Sequence, residues 1–257
     1  MRRLLPKFAK WDDVIATFRS HVEHYVAHGG GENALVGLRA EGAVTVQYAG
    51  RVVYELFQNA LDRAQTRAVV KFTDGLLLVG NDGDGVQVDP DYDYANPIEG
   101  EGRSDFHALC ALHTSNKSAD RQFGNKGIGF RSVFGVADHV RLWSRCHDGG
   151  WWGMELRQRL VPADWPGSAL VELDGLVVGA GRQPRPSFHF PRLLRSSEAP
   201  TKGCSDMSTI VLVNVVDSHH RLQIEHEVER LRNTRFQFVG LRRPNTHFQI
   251  NGDLISS

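Results

Sequence analysis

The sequence is poor in cysteine, carries no net charge and contains no long hydrophobic run. Its 257 residues include three cysteines and no C-x-x-C pair, so neither a disulfide framework nor a structural zinc site is expected. Lys plus Arg and Asp plus Glu both number 30, which argues against a domain-wide basic field for binding nucleic acid. The longest apolar stretches fall short of the roughly 18 residues that span a bilayer. We therefore predict a soluble, cytoplasmic chain without a membrane partner.

Helices and hairpins alternate along the chain. Apolar residues at helical spacing predict one amphipathic helix over about 10–28 and a second over about 48–64. β-rich runs on either side of Asp-Gly turns predict hairpins over about 68–79 and 140–156. This order does not follow strict βαβ alternation. It favours the α/β class, as a two-layer sandwich with a mixed, mostly antiparallel sheet.

Two segments lack periodicity. Residues 86–123 mix acids with prolines and glycines, which predicts a long lid loop. Residues 179–205 hold four prolines and four arginines, which predicts a surface insertion. The expected organisation is an N-terminal helical segment (1–44), a main domain (45–217), and a C-terminal helix and strand extension (218–257).

Three polar residues share one face of the second predicted helix. Glu55, Asn59 and Asp62 stand at i, i+4 and i+7, a spacing that aligns side chains along a helix. A carboxylate in this position can activate water, and a neighbouring amide oxygen can bind Mg²⁺. A solvated polar stripe has the same pattern, so the pattern alone leaves both interpretations open.

A glycine-containing turn, Asn81-Asp-Gly-Asp-Gly85, follows the first predicted hairpin directly. A calcium loop is excluded, because Val86 stands at the next ligand position and Gln87 where glycine is required. Two interpretations remain. The run is a plain tight turn, or its glycines let a flat ligand approach the backbone while a polar side chain contacts the edge of that ligand.

A second glycine cluster, Gly124-Asn-Lys-Gly-Ile-Gly129, opens a short predicted helix over about 130–136. Free amides and the helix dipole at such a position suit a phosphate. The cluster is not a P-loop, because the chain contains no Gly-Lys dipeptide. It is not the dinucleotide fingerprint either, because its glycines run G-x-x-G-x-G.

The three motifs, in this order, resemble the ATP-binding boxes of the GHKL superfamily of gyrase, 90-kDa heat-shock chaperones, histidine kinases and MutL. The run Glu-Leu-Phe-Gln-Asn-Ala from Glu55 and the run Gly-Asn-Lys-Gly-Ile-Gly-Phe-Arg-Ser-Val-Phe from Gly124 are most similar to the sacsin and NO VEIN branch, as is Ser115-Asn-Lys-Ser118. Ser208-Thr-Ile-Val-Leu212 is similar to the closing box. The resemblance covers about residues 45–216 and implies a Bergerat-type ATP-binding fold with ATP and Mg²⁺ as ligands.

The resemblance also implies roles for residues of the helix and the first turn. Glu55 matches the general base that orients water, Asn59 the Mg²⁺ ligand, and Asp62 a supporting carboxylate. Asn81 stands where most of the superfamily has an aspartate that accepts from the adenine amino group. An asparagine carbonyl can accept that bond without the assistance of a charge.

The remaining implied site residues surround the adenine and the phosphates. Gly83 and Gly85 are expected to form the adenine floor, and Thr209 to contact adenine directly or through water. Phosphate contacts are expected from the amides of Gly127, Ile128 and Gly129, with Ser115 nearby and Lys117 or Lys126 as the cation.

These expectations give a slow, Mg²⁺-dependent ATPase that acts as a conformational switch or chaperone-like module. About 40 residues follow the Thr209 strand, fewer than an ordinary domain needs, so a second copy or a partner protein is expected to complete the site. In the relatives that the motifs resemble, what completes the site is a basic residue beside the γ-phosphate. The arginines of the insertion are an alternative source of that basic residue and of a local contact with nucleic acid: Arg182, Arg185, Arg192 and Arg195. A nucleotide-binding scaffold without hydrolysis is the second hypothesis. A histidine kinase domain is disfavoured, because such kinases usually have asparagine where Glu55 stands.

Overall fold

The computed structural model describes residues 5–28, 50–94, 104–110, 129–157, 191–194, 196–200, 203–234 and 246–255. Its α-helices are α1 (Trp11–His28), α2 (Val52–Arg63), α3 (Asp105–Cys110) and α4 (Ser218–Arg232). Short 3-10 helices cover Gly129–Gly135 and Ser196–Glu198. The strands are β1 (Arg67–Thr73), β2 (Leu76–Asn81), β3 (His139–Arg145), β4 (Trp151–Arg157), β5 (Arg192–Leu194), β6 (Thr209–Asn214), β7 (His247–Ile250) and β8 (Asp253–Ile255).

The described strands form one sheet in the order β5-β4-β3-β6-β2-β1-β7-β8. β1 and β7 run parallel, and every other pairing between the described strands is antiparallel. Both predicted hairpins are present. Asp74 and Gly75 connect β1 to β2 with positive φ angles of 53° and 81°, as a tight Asp-Gly hairpin turn requires. The predicted α/β class with a mixed, mostly antiparallel sheet is confirmed.

The helices lie on one face of the sheet and make it two-layered. Apolar residues of α1, α2 and α4 pack with alternate residues of the strands into the main core. Phe57 of α2 meets Phe248 of β7 edge to face, with ring centroids 5.7 Å apart. The opposite face carries a smaller apolar cluster: Trp143, Trp151, Leu194, Cys204, Met207 and Ile210. None of the described helices is long and apolar enough to cross a membrane.

Two segments are more closely integrated than their composition indicates. Within residues 179–205, Arg192–Leu194 form strand β5 against β4, and Leu194 is buried. Within residues 218–257, β7 extends the main sheet beside β1, and α4 packs on α2. Short strands and polar helices have weak local signals, so these contacts become visible only when the distant partner is known.

A buried carboxylate anchors the β5 edge of the sheet. Glu155 lies on β4, directly opposite Arg141 of β3 and Arg192 of β5. Glu155 is 1% exposed and accepts from Arg141 Nε at 2.8 Å and Arg157 Nε at 2.6 Å, with Arg192 Nη2 at 3.3 Å. Burial alone would raise the pKa of Glu155, but the hydrogen bonds from Arg141 and Arg157 and the charge of Arg192 lower it to about 2.

We expect this cluster to make the fold sensitive to acid. The folded-state pKa of Glu155 is below the ordinary value of 4.5. The contribution of Glu155 to the free energy of unfolding is therefore fully present above pH 4.5 and is lost as the pH falls toward 2. The shift corresponds to stability on the order of 3 kcal/mol. Glu155→Gln should therefore unfold more easily in urea at neutral pH and lose less stability than the parent between about pH 5 and pH 3. Glu225→Gln, at an exposed position on α4, is the matched control and should follow the parent.

Candidate functional site

The polar face of α2 is one half of the candidate site. Glu55 and Asn59 are partly exposed, whereas Asp62 is buried at 4% exposure, which a solvated stripe would not show. Glu55 lies in the first turn, where its Oε1 is 3.8 Å from Nη2 of Arg51. The apolar face of the same helix is buried against the sheet, so the backbone that carries the polar face is fixed.

A glutamate of α4 caps the start of α2, although no motif of the sequence marks it. Glu227 is 3% exposed, and its Oε2 accepts from the backbone N–H of Val53 at 2.8 Å. Burial raises the pKa of Glu227, although the bonds from Val53 and Gln223 oppose the shift. The helix has no side-chain cap of its own, so Glu227 positions the turn that carries Glu55. The sequence holds only a weak signal, since Glu227 stands three residues after Ile224 and so shares the face of one of the few apolar residues of this helix.

The second glycine cluster ends beside α2. The 3-10 helix begins at Gly129, the last glycine of that cluster, and packs against α2 and β3. Gly129 and the helix that carries Glu55 and Asn59 therefore belong to neighbouring elements. Five other expected phosphate-site residues lie outside the described residues: Ser115, Lys117, Lys126, Gly127 and Ile128.

The other half of the site lies where β2 ends. Asn81 is opposite Thr209 of β6, and Thr209 is opposite Ser144 of β3, so the three form a row across the sheet. Asn81 is 3% exposed, and its Oδ1 accepts from the backbone N–H of Gly83 at 3.1 Å. Thr209 Oγ1 donates to the carbonyl of Asp84 at 3.3 Å. The structure thus brings Asn81, Gly83 and Thr209 together at the end of β2.

The two glycines of the first turn are in close contact with the chain itself. A Cβ at Gly83 would overlap the carbonyl oxygen of Arg63, the last residue of α2. A Cβ at Gly85 would lie 2.7 Å from Ser144 Oγ and 3.1 Å from the ring of Phe8. Packing within the protein therefore requires both glycines, whether or not they also form an adenine floor.

Asp82 has a structural role, although it is adjacent to Asn81. Its carboxylate accepts from the backbone N–H groups of Gln65, Thr66 and Arg67 at 2.9, 3.0 and 2.9 Å. Burial opposes ionisation, but the hydrogen bonds from Thr66, Arg67 and Gln65 outweigh it and lower the pKa of Asp82. Asp82 thus fixes the turn between α2 and β1, and its carboxylate points at backbone rather than at a base.

The described parts of the segment predicted as a lid are docked against the domain. Val86, Val88 and Phe106 are buried, and Arg63 at the end of α2 forms an ion pair with Asp105. Residues 95–103 and 111–123 of this segment lie outside the described residues.

A chain of polar rings ties the same segment to α1. His21 Nδ1 lies 3.1 Å from the hydroxyl oxygen of Tyr94, which lies 3.0 Å from Nε2 of His107. His107 Nδ1 lies 2.6 Å from Ser104 Oγ. His21, His107 and Ser104 are all buried, so this network holds the segment in place together with its buried apolar residues.

The proposed metal is Mg²⁺, which binds oxygen ligands, so the question is which side-chain oxygens could reach it. Among the described residues, no group of three or more His, Cys, Asp and Glu is placed to hold a metal ion. Mg²⁺ at phosphate sites usually needs only one or two protein oxygens, because water and phosphate complete its shell. Asn59, partly exposed on α2 near Glu55, fits that limited requirement.

Comparison with known proteins gives solved structures only, since no family model and no curated protein matches. The ATPase region of Saccharomyces cerevisiae topoisomerase II is 15% identical with a TM-score of 0.45. The matched part is 80% of this chain and 48% of the topoisomerase chain. The ATPase and transducer domains of topoisomerase II from Balamuthia mandrillaris are 14% identical with a TM-score of 0.46, and cover 81% and 48%. The chain spans about half the length of these similar structures.

Proposed function

We propose that this chain is a GHKL-type module of the sacsin and NO VEIN kind. It binds a purine nucleoside triphosphate, ATP in the superfamily that its motifs resemble, together with Mg²⁺, and hydrolyses it slowly. The observation that carries the proposal is the meeting of three sequence motifs in one fold. The helix α2, which carries Glu55 and Asn59, packs beside the helix that begins at Gly129, and the Asn81–Thr209 row lies at the end of β2.

The chemistry assigned to each residue follows from its side chain and place. Glu55 accepts a proton from the attacking water, and its place in the anchored first turn of α2 fixes the direction of attack. Asn59 offers an amide oxygen to Mg²⁺. When bound, the ion would neutralise negative charge on the phosphates. Gly129 offers a backbone amide at a helix start.

The proposed biological role is a conformational switch or chaperone-like module, completed by a second copy or a partner protein that supplies a cation. Charge stabilisation of that kind is worth about 10³–10⁵ in phosphoryl transfer, so turnover of the isolated chain should lie below about 1 s⁻¹. We propose a cytoplasmic location, because three cysteines without a C-x-x-C pair fit a reducing compartment best.

Nucleotide binding is tested by thermal unfolding with millimolar ATP or GTP, with and without Mg²⁺. A bound nucleotide should raise the melting temperature by mass action, and Mg²⁺ should increase that rise. Asn59→Ala should remove the Mg²⁺-dependent part, while Asn214→Ala, at an exposed position on β6, should keep it. An unchanged melting curve with every nucleotide would contradict the proposal.

A further inference from the structure

We infer that the site prefers a purine with an oxygen at position 6, such as guanine or hypoxanthine, over adenine. The inference rests on the proposed function, which places the purine edge beside Asn81. It follows from the orientation of the Asn81 amide, which directs a hydrogen-bond donor away from the turn that holds it. Adenine carries an amino donor at position 6, whereas guanine carries an acceptor there.

The orientation of Asn81 is fixed by the partner of its oxygen. The backbone N–H of Gly83 can only donate, and the Asn81 side-chain atom 3.1 Å from it is therefore Oδ1. A flipped amide would place two donors face to face. Nδ2 consequently occupies the other branch of the amide, and it donates to no group in the part of the chain that the structure describes.

The surroundings hold this turn in place. The backbone carbonyl of Asn81 accepts from Ser208 N at 2.8 Å and from Ser208 Oγ at 3.2 Å. Ser208 Oγ also lies within hydrogen-bond distance of the Gly83 carbonyl, and the carbonyl of Arg63 fills the space that a Cβ of residue 83 would occupy. Because these contacts hold Gly83, its amide keeps Oδ1 of Asn81 in place.

Nδ2 of Asn81 is a donor that requires an acceptor. Asn81 is 3% exposed, but Nδ2 is not one of the buried unpaired atoms of the described residues, so the cost arises only when a ligand covers Nδ2 without accepting from it. Facing adenine, Nδ2 would meet the amino group of the base, and both donors would remain unpaired. Facing an oxygen at position 6, it would donate one hydrogen bond. The difference corresponds to roughly a ten- to hundredfold preference in dissociation constant.

An aspartate at this position should reverse the preference. In Asn81→Asp one carboxylate oxygen still accepts from Gly83 N, and the second becomes an acceptor in place of Nδ2. That oxygen pairs with the adenine amino group and repels an oxygen at position 6. The substitution is nearly isosteric, so it tests hydrogen-bond polarity without changing volume.

The experiment is titration calorimetry of ATP, GTP and ITP with Mg²⁺ on the parent, Asn81→Asp and Asn214→Asp. The parent should bind GTP and ITP about ten- to a hundredfold more tightly than ATP. Asn81→Asp should reverse that order, and the exposed control should keep it. ITP lacks the 2-amino group of guanine, so agreement between ITP and GTP assigns the preference to position 6.

Each other outcome has a distinct meaning. If the parent binds ATP more tightly than ITP, this inference is wrong and the proposed function still stands. That comparison uses the parent protein alone. A GTP preference that ITP does not share, or that persists in folded Asn81→Asp, also overturns it. Binding of no nucleotide by either protein overturns the proposed function itself.

Discussion

Replacing Glu55 with glutamine is expected to leave nucleotide and Mg²⁺ bound while lowering turnover by a factor of about 10²–10⁴, the usual cost of losing a general base. Glutamine keeps the length and packing of the side chain, yet it cannot accept a proton from the attacking water. Single-turnover hydrolysis with saturating nucleotide measures this step apart from binding and product release.

Two controls separate this effect from a loss of structure. Glu225→Gln makes the same chemical change at an exposed position of α4 and should hydrolyse at the parent rate. Titration of nucleotide into Glu55→Gln should give a dissociation constant close to that of the parent. Hydrolysis by Glu55→Gln at the parent rate would place the base elsewhere or assign the activity to a contaminant.

Features set by neighbours in the chain were predictable from sequence. The β1–β2 hairpin follows from Asp74-Gly75 between two β-rich runs, and α2 follows from the spacing of its apolar residues. The α/β class follows from the alternation of such elements. Each of these features depends on contacts between residues close in sequence, which local patterns record.

The order of the strands was not predictable in the same way. β6 lies between β3 and β2, and β7 pairs in parallel with β1 through Arg67 and His247, which are far apart in sequence. Periodicity identifies a strand without identifying its partner. For the same reason the short strand β5 is not visible in the composition of its segment.

In the candidate site, too, local motifs were predictable from the sequence, and contacts between distant residues were not. Glu55, Asn59, Asn81 and Thr209 come from motifs, and the resemblance of those motifs to the ATP-binding boxes of the GHKL superfamily selected them. The cap from Glu227, by contrast, joins residues that are distant in sequence. The orientation of the Asn81 amide likewise depends on a turn that Ser208, the residue before β6, holds by hydrogen bonds. Residue types are thus readable from the sequence, whereas the direction in which they point is set by the fold.

Gly83→Ala is expected to destabilise the whole domain rather than to affect ligand binding alone. The added methyl would overlap the carbonyl oxygen of Arg63, and that carbonyl belongs to the last residue of α2. A backbone atom cannot rotate away as a flexible side chain can, so β2 and α2 must move apart. We expect a loss of about 3 kcal/mol or more in the free energy of unfolding, at the upper end for overpacked sites. For a chain of this size, that loss lowers the melting temperature by roughly 6–12 °C.

The matched control is Gly150→Ala in the β3–β4 hairpin. There the nearest neighbour of an added Cβ is Asp148 Oδ1 at 3.1 Å, the end of an exposed side chain that can rotate away with the loss of one exposed hydrogen bond from Gly150 N. Its melting temperature should stay within a few degrees of the parent. If both variants melt like the parent without nucleotide and only Gly83→Ala loses the nucleotide-induced rise, Gly83 acts at the ligand. The contact with Arg63 would then not be what requires glycine at this position.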